Sequence, residues 1–309
     1  MTAQRPVTQR TGILAVLGAT AAWSFGGVLA KSVDAPGVVI TMWRNWLAAA
    51  LWFGLAAITH QIPRRSEVRQ AAPAGVLFGA NLALFFSALK YIPLVNALVI
   101  IALTPVVMLV VARKVLGEHI TVARLACALL AVSGVVMYTV VTPTSGKSAT
   151  NRPVLGYALV VSAMSLWVVY LVVSKQLRST MGTVPFLSSI SLVGAIVVTP
   201  VAIVLGRHAH APHGVHWMWI VLLALGPGMM AHGLVAWAQK HVDASVSSVL
   251  MQAETIGAAV IAWIVLGERQ SPAQIVALAV VLVGLTALAV NEDRLDTKRQ
   301  LADTAIVLG

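Results

Sequence analysis

Residues 250–268 read LMQAETIGAAVIAWIVLGE, an apolar run with one acid inside it, Glu254, and a second, Glu268, at its end. A helix that crosses a bilayer needs about 20 predominantly apolar residues, so this run predicts a transmembrane helix. An ionised acid at the bilayer centre costs about 2.5–3.5 kcal/mol on insertion scales. Either a compensating contact stabilises the Glu254 carboxylate, or the carboxyl group is neutral.

The whole chain shares this apolar composition. Of 309 residues, 59% are hydrophobic and 10% are charged, and the mean hydropathy is +0.90. A soluble domain typically has about 25% charged residues, so the composition indicates a membrane protein with several spans. The net charge of +11 is spread over the ends of the apolar segments, which is typical of cytoplasmic loops rather than of a nucleic-acid surface. The single cysteine, Cys127, excludes a disulfide framework.

Ten apolar segments are long enough to cross a bilayer. The predicted spans are residues 13–33, 37–59, 73–90, 94–114, 121–142, 154–174, 184–205, 217–240, 244–266 and 272–290. The first segment is longer than the apolar region of a signal peptide and lacks a convincing cleavage site, so we interpret it as an uncleaved helix. With the N-terminus inside, most Lys and Arg residues fall on the inner side, which predicts two cytoplasmic termini.

The two halves of the chain share sequence. VLGE occurs at residues 115–118 and again at 265–268, a shift of 150 residues, and a shift of 144 residues pairs Trp23 with Trp167. Other pairs at these two shifts are Gly12 with Gly156, Lys31 with Lys175, Lys90 with Lys240, and Gly134 with Gly284. Each repeat holds five helices, an odd number, so the second copy enters the membrane from the opposite side. Inverted repeats of this kind build many secondary transporters.

The sequence therefore predicts an all-α membrane protein with ten transmembrane helices in two inverted five-helix repeats. The first repeat covers residues 13–142 and the second covers residues 154–290, with an external linker at 143–153. Residues 1–12 form a cytoplasmic N-terminal segment, and the polar residues 291–309 form a cytoplasmic tail that is expected to be frayed.

Short motifs along both halves carry a resemblance to a known family. They are Trp23, Arg44, 85-FFSAL-89, 103-LTP-105, 116-LGE-118, 248-SVL-250, Glu254 and 266-LGE-268. In this order they resemble the EamA-type family of the drug/metabolite transporter superfamily, over about residues 12–290. The resemblance implies a substrate cavity between the two halves and alternating access, for substrates that range from amino acids and sugars to nucleotide-derived metabolites and drugs. Family members often have Glu-Pro in the ninth helix, whereas this chain has Glu254-Thr255, so a proline kink is not expected there.

Two titratable residues inside predicted spans are candidates for proton coupling. Glu254 could be neutral while water is excluded and ionised when the cavity opens, or it could be a neutral residue that hydrogen-bonds a neighbouring helix. His232 follows Gly226-Pro227-Gly228, a sequence that must disturb the helix. At membrane depth, an irregular backbone is tolerated only beside protein or a water-filled cavity. His232 is either a proton relay that also contacts substrate or a packing histidine.

Arg44 is the clearest cation inside a predicted span. It could anchor a substrate carboxylate or phosphate, or it could extend to the outer interface as lysine and arginine side chains often do. Together with Glu254 it could hold a zwitterion, with the arginine on the carboxylate and the acid on the ammonium group.

The other candidate substrate contacts are aromatic rings and amides. They are Trp23, Asn81, Phe85, Trp167, Tyr170 and Gln252. The rings could enclose a substrate or belong to the core, and the amides could contact a cavity or join helices. The glycines of Gly117-Glu118 and Gly267-Glu268 are expected to end a helix, and the acids to favour the N-terminus of the next helix.

These observations predict a secondary active transporter of a small polar or amphipathic metabolite, such as an amino acid or a drug-like compound. We expect an exporter in a bacterial cell membrane, a monomer or a homodimer, with proton coupling as an open question. The histidines of residues 207–217 have no acid or cysteine beside them, so no metal site is predicted, and no cofactor, nucleic-acid partner or enzymatic activity is expected. The alternatives are an importer and a non-transporting membrane accessory or sensor protein.

Overall fold

The computed structural model describes residues 9–92, 97, 100–118, 120–141, 152–206, 212–254, 256–257, 260–261 and 271–308. All regular secondary structure in these residues is helical. By length and composition, seven of the described helical segments could cross a membrane. They are Gln9–Ala30, Gly37–Ile58, Arg65–Ala88, Pro153–Arg178, Thr183–Leu205, Val215–Ala238 and Pro272–Asn291. The chain is thus a multi-pass, all-α membrane protein.

Twelve α-helices are described in chain order. They are α1 (Gln9–Trp23), α2 (Gly26–Ser32), α3 (Gly37–Ile58), α4 (Arg65–Ala88), α5 (Thr104–Val111), α6 (Val122–Val141), α7 (Pro153–Arg178), α8 (Thr183–Leu205), α9 (Val215–Leu223), α10 (His232–Ala238), α11 (Ala244–Leu250) and α12 (Pro272–Leu308). A π-helical turn, Ala112–Leu116, follows α5, and a π-helical segment, Ala224–Ala231, joins α9 to α10.

Three helix boundaries differ from the sequence-based expectation. The first span is divided by a turn at Ser24 and Phe25. Helix α4 begins at Arg65 rather than at residue 73, because the Glu67 carboxylate accepts the backbone N–H of Arg64 at 2.7 Å and stabilises a polar first turn. Helix α12 continues to Leu308, well beyond the predicted end of the last span at residue 290.

Several predicted features lie wholly or partly outside the described residues. They include the N-terminal residues 1–8, most of the linker at 143–153, and the second LGE motif at 266–268. Within the predicted span 94–114, the structure describes chiefly α5 and the π-helical turn after it. Within the predicted span 244–266, it describes chiefly α11.

Glycines allow the closest helix crossings. A Cβ atom on Gly79 of α4 would lie 2.8 Å from the Cα atom of Gly194 of α8. A Cβ atom on Gly134 of α6 would lie 2.7 Å from the backbone nitrogen of Val281 of α12. Such close approach between backbones is typical of helix packing in membranes, where small residues replace the hydrophobic driving force.

The crossing of α6 and α12 is reciprocal. Gly134 packs against Val281, while Gly284 packs against Ala131, where its Cβ atom would lie 2.8 Å from the backbone nitrogen. Val281 is separated from Ala131 by 150 residues, which is also the shift between the two glycines. Equivalent positions of the two halves therefore make equivalent contacts at this crossing.

Candidate functional site

Five ring-bearing side chains from four helical elements meet inside the protein. We call Trp23, Phe78, Trp167, Tyr170 and His232 the aromatic cluster. The His232 ring centroid lies 5.1 Å from that of Trp23, 4.9 Å from that of Phe78 and 5.9 Å from that of Trp167. Tyr170 stacks on Trp167 at 5.1 Å and lies 5.5 Å from Phe78. His232 thus occupies the centre of the cluster.

Trp23 and Trp167, which the sequence pairs across the two halves, contact each other within this cluster. Their ring centroids are 5.9 Å apart with an interplanar angle of 80°. Edge-to-face pairs of this kind contribute about 0.5–1.5 kcal/mol beyond area burial. Four of the aromatic or imidazole candidates taken from the sequence, Trp23, Trp167, Tyr170 and His232, are therefore brought together.

The Gly226-Pro227-Gly228 sequence directly precedes α10 and helps to position His232 in the aromatic cluster. Pro227 lacks a backbone N–H, and the helix around it widens into the π-helical segment that ends just before His232. The indole Nε1 of Trp23 donates a hydrogen bond to the carbonyl oxygen of Pro227 at 3.1 Å. The irregular backbone thus holds α1 beside the helix that carries His232, and such π-helical insertions are frequent at functional sites.

Arg44 lies next to the aromatic cluster and is only 1% exposed. Its Cζ atom is 5.8 Å from the centroid of the Phe78 ring. Its Nη1 donates to the side-chain oxygen of Asn45 at 3.3 Å, and its Nε has no hydrogen-bond partner. A Cβ atom on Gly228 would lie 3.5 Å from Nη2, so the guanidinium group also packs against the Gly-Pro-Gly segment.

A second buried arginine, Arg178, makes more hydrogen bonds than Arg44. Arg178 is also 1% exposed and lies over an aromatic ring. Its Nε donates to the carbonyl oxygen of Ala236 at 2.8 Å, Nη1 donates to the carbonyl oxygen of Met181, and Nη2 donates to the Thr183 hydroxyl. All three nitrogens of Arg178 are satisfied, whereas the guanidinium group of Arg44 makes one long bond.

Glu254 follows a break in the ninth predicted span. Helix α11 ends at Leu250, and Met251 and Gln252 form a turn before helical backbone resumes at residue 253. The helix is thus interrupted even though no proline follows Glu254. The Ser24 hydroxyl donates to the backbone carbonyl of Glu254 at 3.2 Å, which joins this half-buried acid to the turn between α1 and α2.

The three other candidates lie outside the aromatic cluster. The Asn81 amide donates to the carbonyl oxygen of Ala163 at 2.7 Å and so joins α4 to α7. Phe85 contacts Phe86, with ring centroids 5.8 Å apart. Gln252 is buried in the turn that precedes Glu254. Their roles in substrate binding stay predictions.

The Glu118 carboxylate lies at the N-terminus of α11, not at that of α6, the next helix in the chain. Gly117 has a φ of 66° and ends the π-helical turn, as expected. The Glu118 carboxylate accepts the backbone N–H groups of Ala244 and Ser245 of α11, at 2.8 and 3.1 Å. The hydroxyl of Thr121 instead accepts the N–H of Arg124 at the start of α6, which leaves the acid available for the distant helix.

Other charged groups surround this contact. Lys175 lies 3.7 Å from the Glu118 carboxylate and 3.8 Å from that of Asp243, and its ammonium group donates to the carbonyl oxygen of Val242. Arg124 forms an ion pair with Asp243 at 2.8 Å. The start of α11 is therefore fixed by a network of both charge signs.

A cavity of about 760 Å³ lies between α3, α4, α7 and α8. Its lining is mostly aliphatic, with Ser87, Lys90 and Tyr91 as its polar side chains. No residue of the aromatic cluster belongs to the lining of this cavity. Within the described part of the chain, no group of three potential metal ligands occurs.

Comparison with known proteins places these features in a family. The model of the EamA-like transporter family matches residues 10–140 and again residues 154–290. The chain belongs to the EamA-like transporter family. It is 27% identical over 279 residues to "Uncharacterized transporter YyaM" of Bacillus subtilis (strain 168), a match that covers 84% of this chain and 87% of that protein. A solved crystal structure matches with a TM-score of 0.77 and 22% identity, and covers 90% of this chain and 96% of its own, which shows a shared fold.

Two residues at the centre of this EamA-like site were missed by sequence reasoning. Phe78 contacts Arg44, Tyr170 and His232, and Asn45 is fully buried beside Arg44. Phe78 lies seven residues before the predicted Phe85, on nearly the same face of α4, so helical spacing could have identified it.

Proposed function

We propose that this EamA-like protein is a secondary active transporter that exports a small polar or amphipathic metabolite across the cell membrane by alternating access. The observation that carries the proposal is the composition of the aromatic cluster. Trp23 and Phe78 belong to the first family match, 10–140, and His232 belongs to the second, 154–290. A site shared by two halves changes when the halves move relative to each other, as alternating access requires.

Reciprocal contacts support two inverted repeats of five helices. Gly12 packs against Val242, and Gly156 packs against Ile92. Gly156 is the counterpart of Gly12 at a shift of 144, and Val242 is the counterpart of Ile92 at a shift of 150. Together with the reciprocal crossing of α6 and α12, these contacts are those expected from a pseudo-two-fold axis. Two cytoplasmic termini follow from the distribution of basic residues.

Glu254 and His232 are the groups that we assign to proton coupling. The hydroxyl of Ser24, the residue after Trp23, donates to the backbone carbonyl of Glu254, so this acid lies beside one edge of the aromatic cluster. His232 contacts three rings of the cluster directly. Intramembrane acids of this kind commonly mark proton or substrate pathways.

Sealed proteoliposomes test this function. Vesicles that contain the protein are preloaded with pooled amino acids and common metabolites, a pH gradient is imposed, and the compounds that leave are identified by mass spectrometry. The expected result is selective efflux by the wild type, loss of efflux in Glu254→Gln, and retained efflux in Asp34→Asn. Asp34 is the matched control because it is an exposed acid outside the site.

The outcomes separate the parts of the proposal. Equal efflux from the wild type and Glu254→Gln would contradict proton coupling through this acid while transport stands. Uptake that exceeds efflux under every gradient would indicate an importer. No movement of any compound by folded protein would favour a non-transporting accessory or sensor protein.

A further inference from the structure

We propose that the transported compound carries a carboxylate attached to a planar ring, without a compensating ammonium group. Arg44 and Asn45 would bind the carboxylate, and the aromatic cluster would bind the ring. This inference rests on the proposed transport function and names the substrate class for it.

The charge of buried Arg44 is poorly balanced. Burial of a cation is costly unless an anion or several hydrogen bonds compensate it. Arg178 has such compensation from three oxygen atoms, but Arg44 has one side-chain bond of 3.3 Å. Among the described residues, no carboxylate forms an ion pair with Arg44. An anionic substrate would supply the missing partner.

The buried atoms without hydrogen-bond partners at Arg44 and Asn45 are both donors. Nε of Arg44 and Nδ2 of Asn45 are both buried and make no hydrogen bond. Both are donors, so they match a group that offers only acceptors, and a guanidinium edge binds a carboxylate through two parallel bonds. One guanidinium group balances the single charge of a carboxylate, whereas a doubly charged phosphate would leave excess negative charge among apolar rings.

Aromatic rings lie beside the Arg44 guanidinium group. Phe78 contacts the Arg44 guanidinium group as well as His232 and Tyr170, so an anion bound to Arg44 would have its remaining atoms beside aromatic surface. Offset or edge-to-face contacts with such rings favour a flat substituent over an aliphatic ring.

The contacts also disfavour a zwitterion. An ammonium group would need an acid near the carboxylate site, and Glu254 is the acid inside the ninth predicted span. Arg44 contacts Phe78, Asn45 and Gly228, whereas the backbone of Glu254 contacts Met251 and Ser24. Within the described part of the chain, Arg44 and Glu254 form no ion pair, so a compound with one negative charge fits better.

Binding of four small probes to purified, detergent-solubilised protein tests the inference. The probes are benzoate, its neutral analogue benzamide, the non-planar cyclohexanecarboxylate, and the zwitterion phenylalanine. Binding is followed by the rise in unfolding temperature and by tryptophan fluorescence, since Trp23 and Trp167 belong to the cluster. Benzoate is expected to bind the wild type most tightly, cyclohexanecarboxylate more weakly, and benzamide and phenylalanine the least.

Variants identify the residues responsible. Arg44→Gln is expected to raise the Kd for benzoate by about tenfold or more, since it removes one partner of a buried charge pair. Arg69→Gln, which makes the same change at an exposed position of α4, is expected to leave the Kd unchanged. Asn45→Leu keeps the cation and is expected to weaken benzoate binding as well, so the test does not depend on the folding of one variant.

Each remaining outcome has a definite meaning. Equal binding of benzamide and benzoate, tighter binding of phenylalanine, or unchanged benzoate binding in both Arg44→Gln and Asn45→Leu would overturn the inference. Transport of other metabolites by a protein that does not bind benzoate would also overturn it, while the transport function stands. Arg44-dependent benzoate binding without flux in proteoliposomes would support the binding site and contradict the transport function.

Discussion

The Arg44 guanidinium carbon lies 5.8 Å from the centroid of the Phe78 ring, and the ring of His232 lies 4.9 Å from the same centroid. Phe78 is therefore shared by a buried cation and by the imidazole at the centre of the aromatic cluster. The negative face of an aromatic ring attracts a cation, but this attraction is weaker than an ion pair. Phe78 thus partly compensates the charge of Arg44, whose buried Nε makes no hydrogen bond.

The two buried arginines are expected to respond oppositely to the same substitution. Arg178→Met leaves the carbonyl oxygens of Ala236 and Met181 without donors, so it is expected to destabilise the fold by about 1–3 kcal/mol for each. Arg44→Met removes a poorly compensated charge, so it is expected to leave stability unchanged or raised. Thermal unfolding of both variants in detergent measures the difference. A similar loss of stability in both would show that Arg44 is a structural cation.

The two paired tryptophans are predicted to differ in one hydrogen bond. Trp23→Phe keeps an aromatic ring but leaves the carbonyl oxygen of Pro227 without its donor, and a typical net cost is about 0.5–1.5 kcal/mol. Trp167→Phe is the matched control, because its ring contacts are retained and no hydrogen bond of its indole is recorded. Thermal unfolding is expected to show the larger loss for Trp23→Phe. If the losses are equal, ring size rather than the hydrogen bond determines the stability of this contact.

Much of the helix layout is local and could be predicted from the sequence. The predicted spans 37–59 and 184–205 correspond closely to Gly37–Ile58 and Thr183–Leu205. Each is a predominantly apolar segment bounded by polar residues, glycine or proline, and both signals are local in the sequence. Arg44 could also be selected from the sequence, because a cation inside a transmembrane segment is rare.

The contacts between helices could not be predicted in the same way. In a membrane helix both the lipid-facing and the protein-facing sides are apolar, so hydrophobic periodicity does not identify the buried face. Phe78 was overlooked, although its seven-residue spacing from Phe85 on α4 could have identified it. Glu118 was assigned to the nearest helix, whereas its partners, Ala244 and Ser245, follow more than a hundred residues later.

The Glu118 carboxylate is predicted to stabilise the start of α11. Glu118→Gln replaces one of the acceptor oxygens for Ala244 and Ser245 with an amide and removes the charge that faces Lys175. A loss of about 1–3 kcal/mol in unfolding free energy is expected, because hydrogen bonds to charged groups are the stronger ones. Asp34→Asn, an exposed acid, is the control and should change stability little. Equal stability of Glu118→Gln and the wild type would mean that the remaining network fixes α11 alone.

The reciprocal crossing of α6 and α12 predicts a matched response to two glycine substitutions. A Cβ atom in Gly134→Ala would lie 2.7 Å from the backbone nitrogen of Val281, and one in Gly284→Ala would lie 2.8 Å from that of Ala131. Since backbone atoms cannot yield without a helix shift, each variant is expected to lose about 1–3 kcal/mol of stability.

Gly54→Ala on α3 is the control for this pair, because no atom lies within 4 Å of the added Cβ. Alanine favours helix over glycine by about 1 kcal/mol, so this variant should be as stable as the wild type or more stable. Thermal unfolding of the three variants in detergent compares them directly. If Gly134→Ala is tolerated while Gly284→Ala is not, the two sides of the crossing are not equivalent, and the pseudo-two-fold arrangement loses its support at these helices.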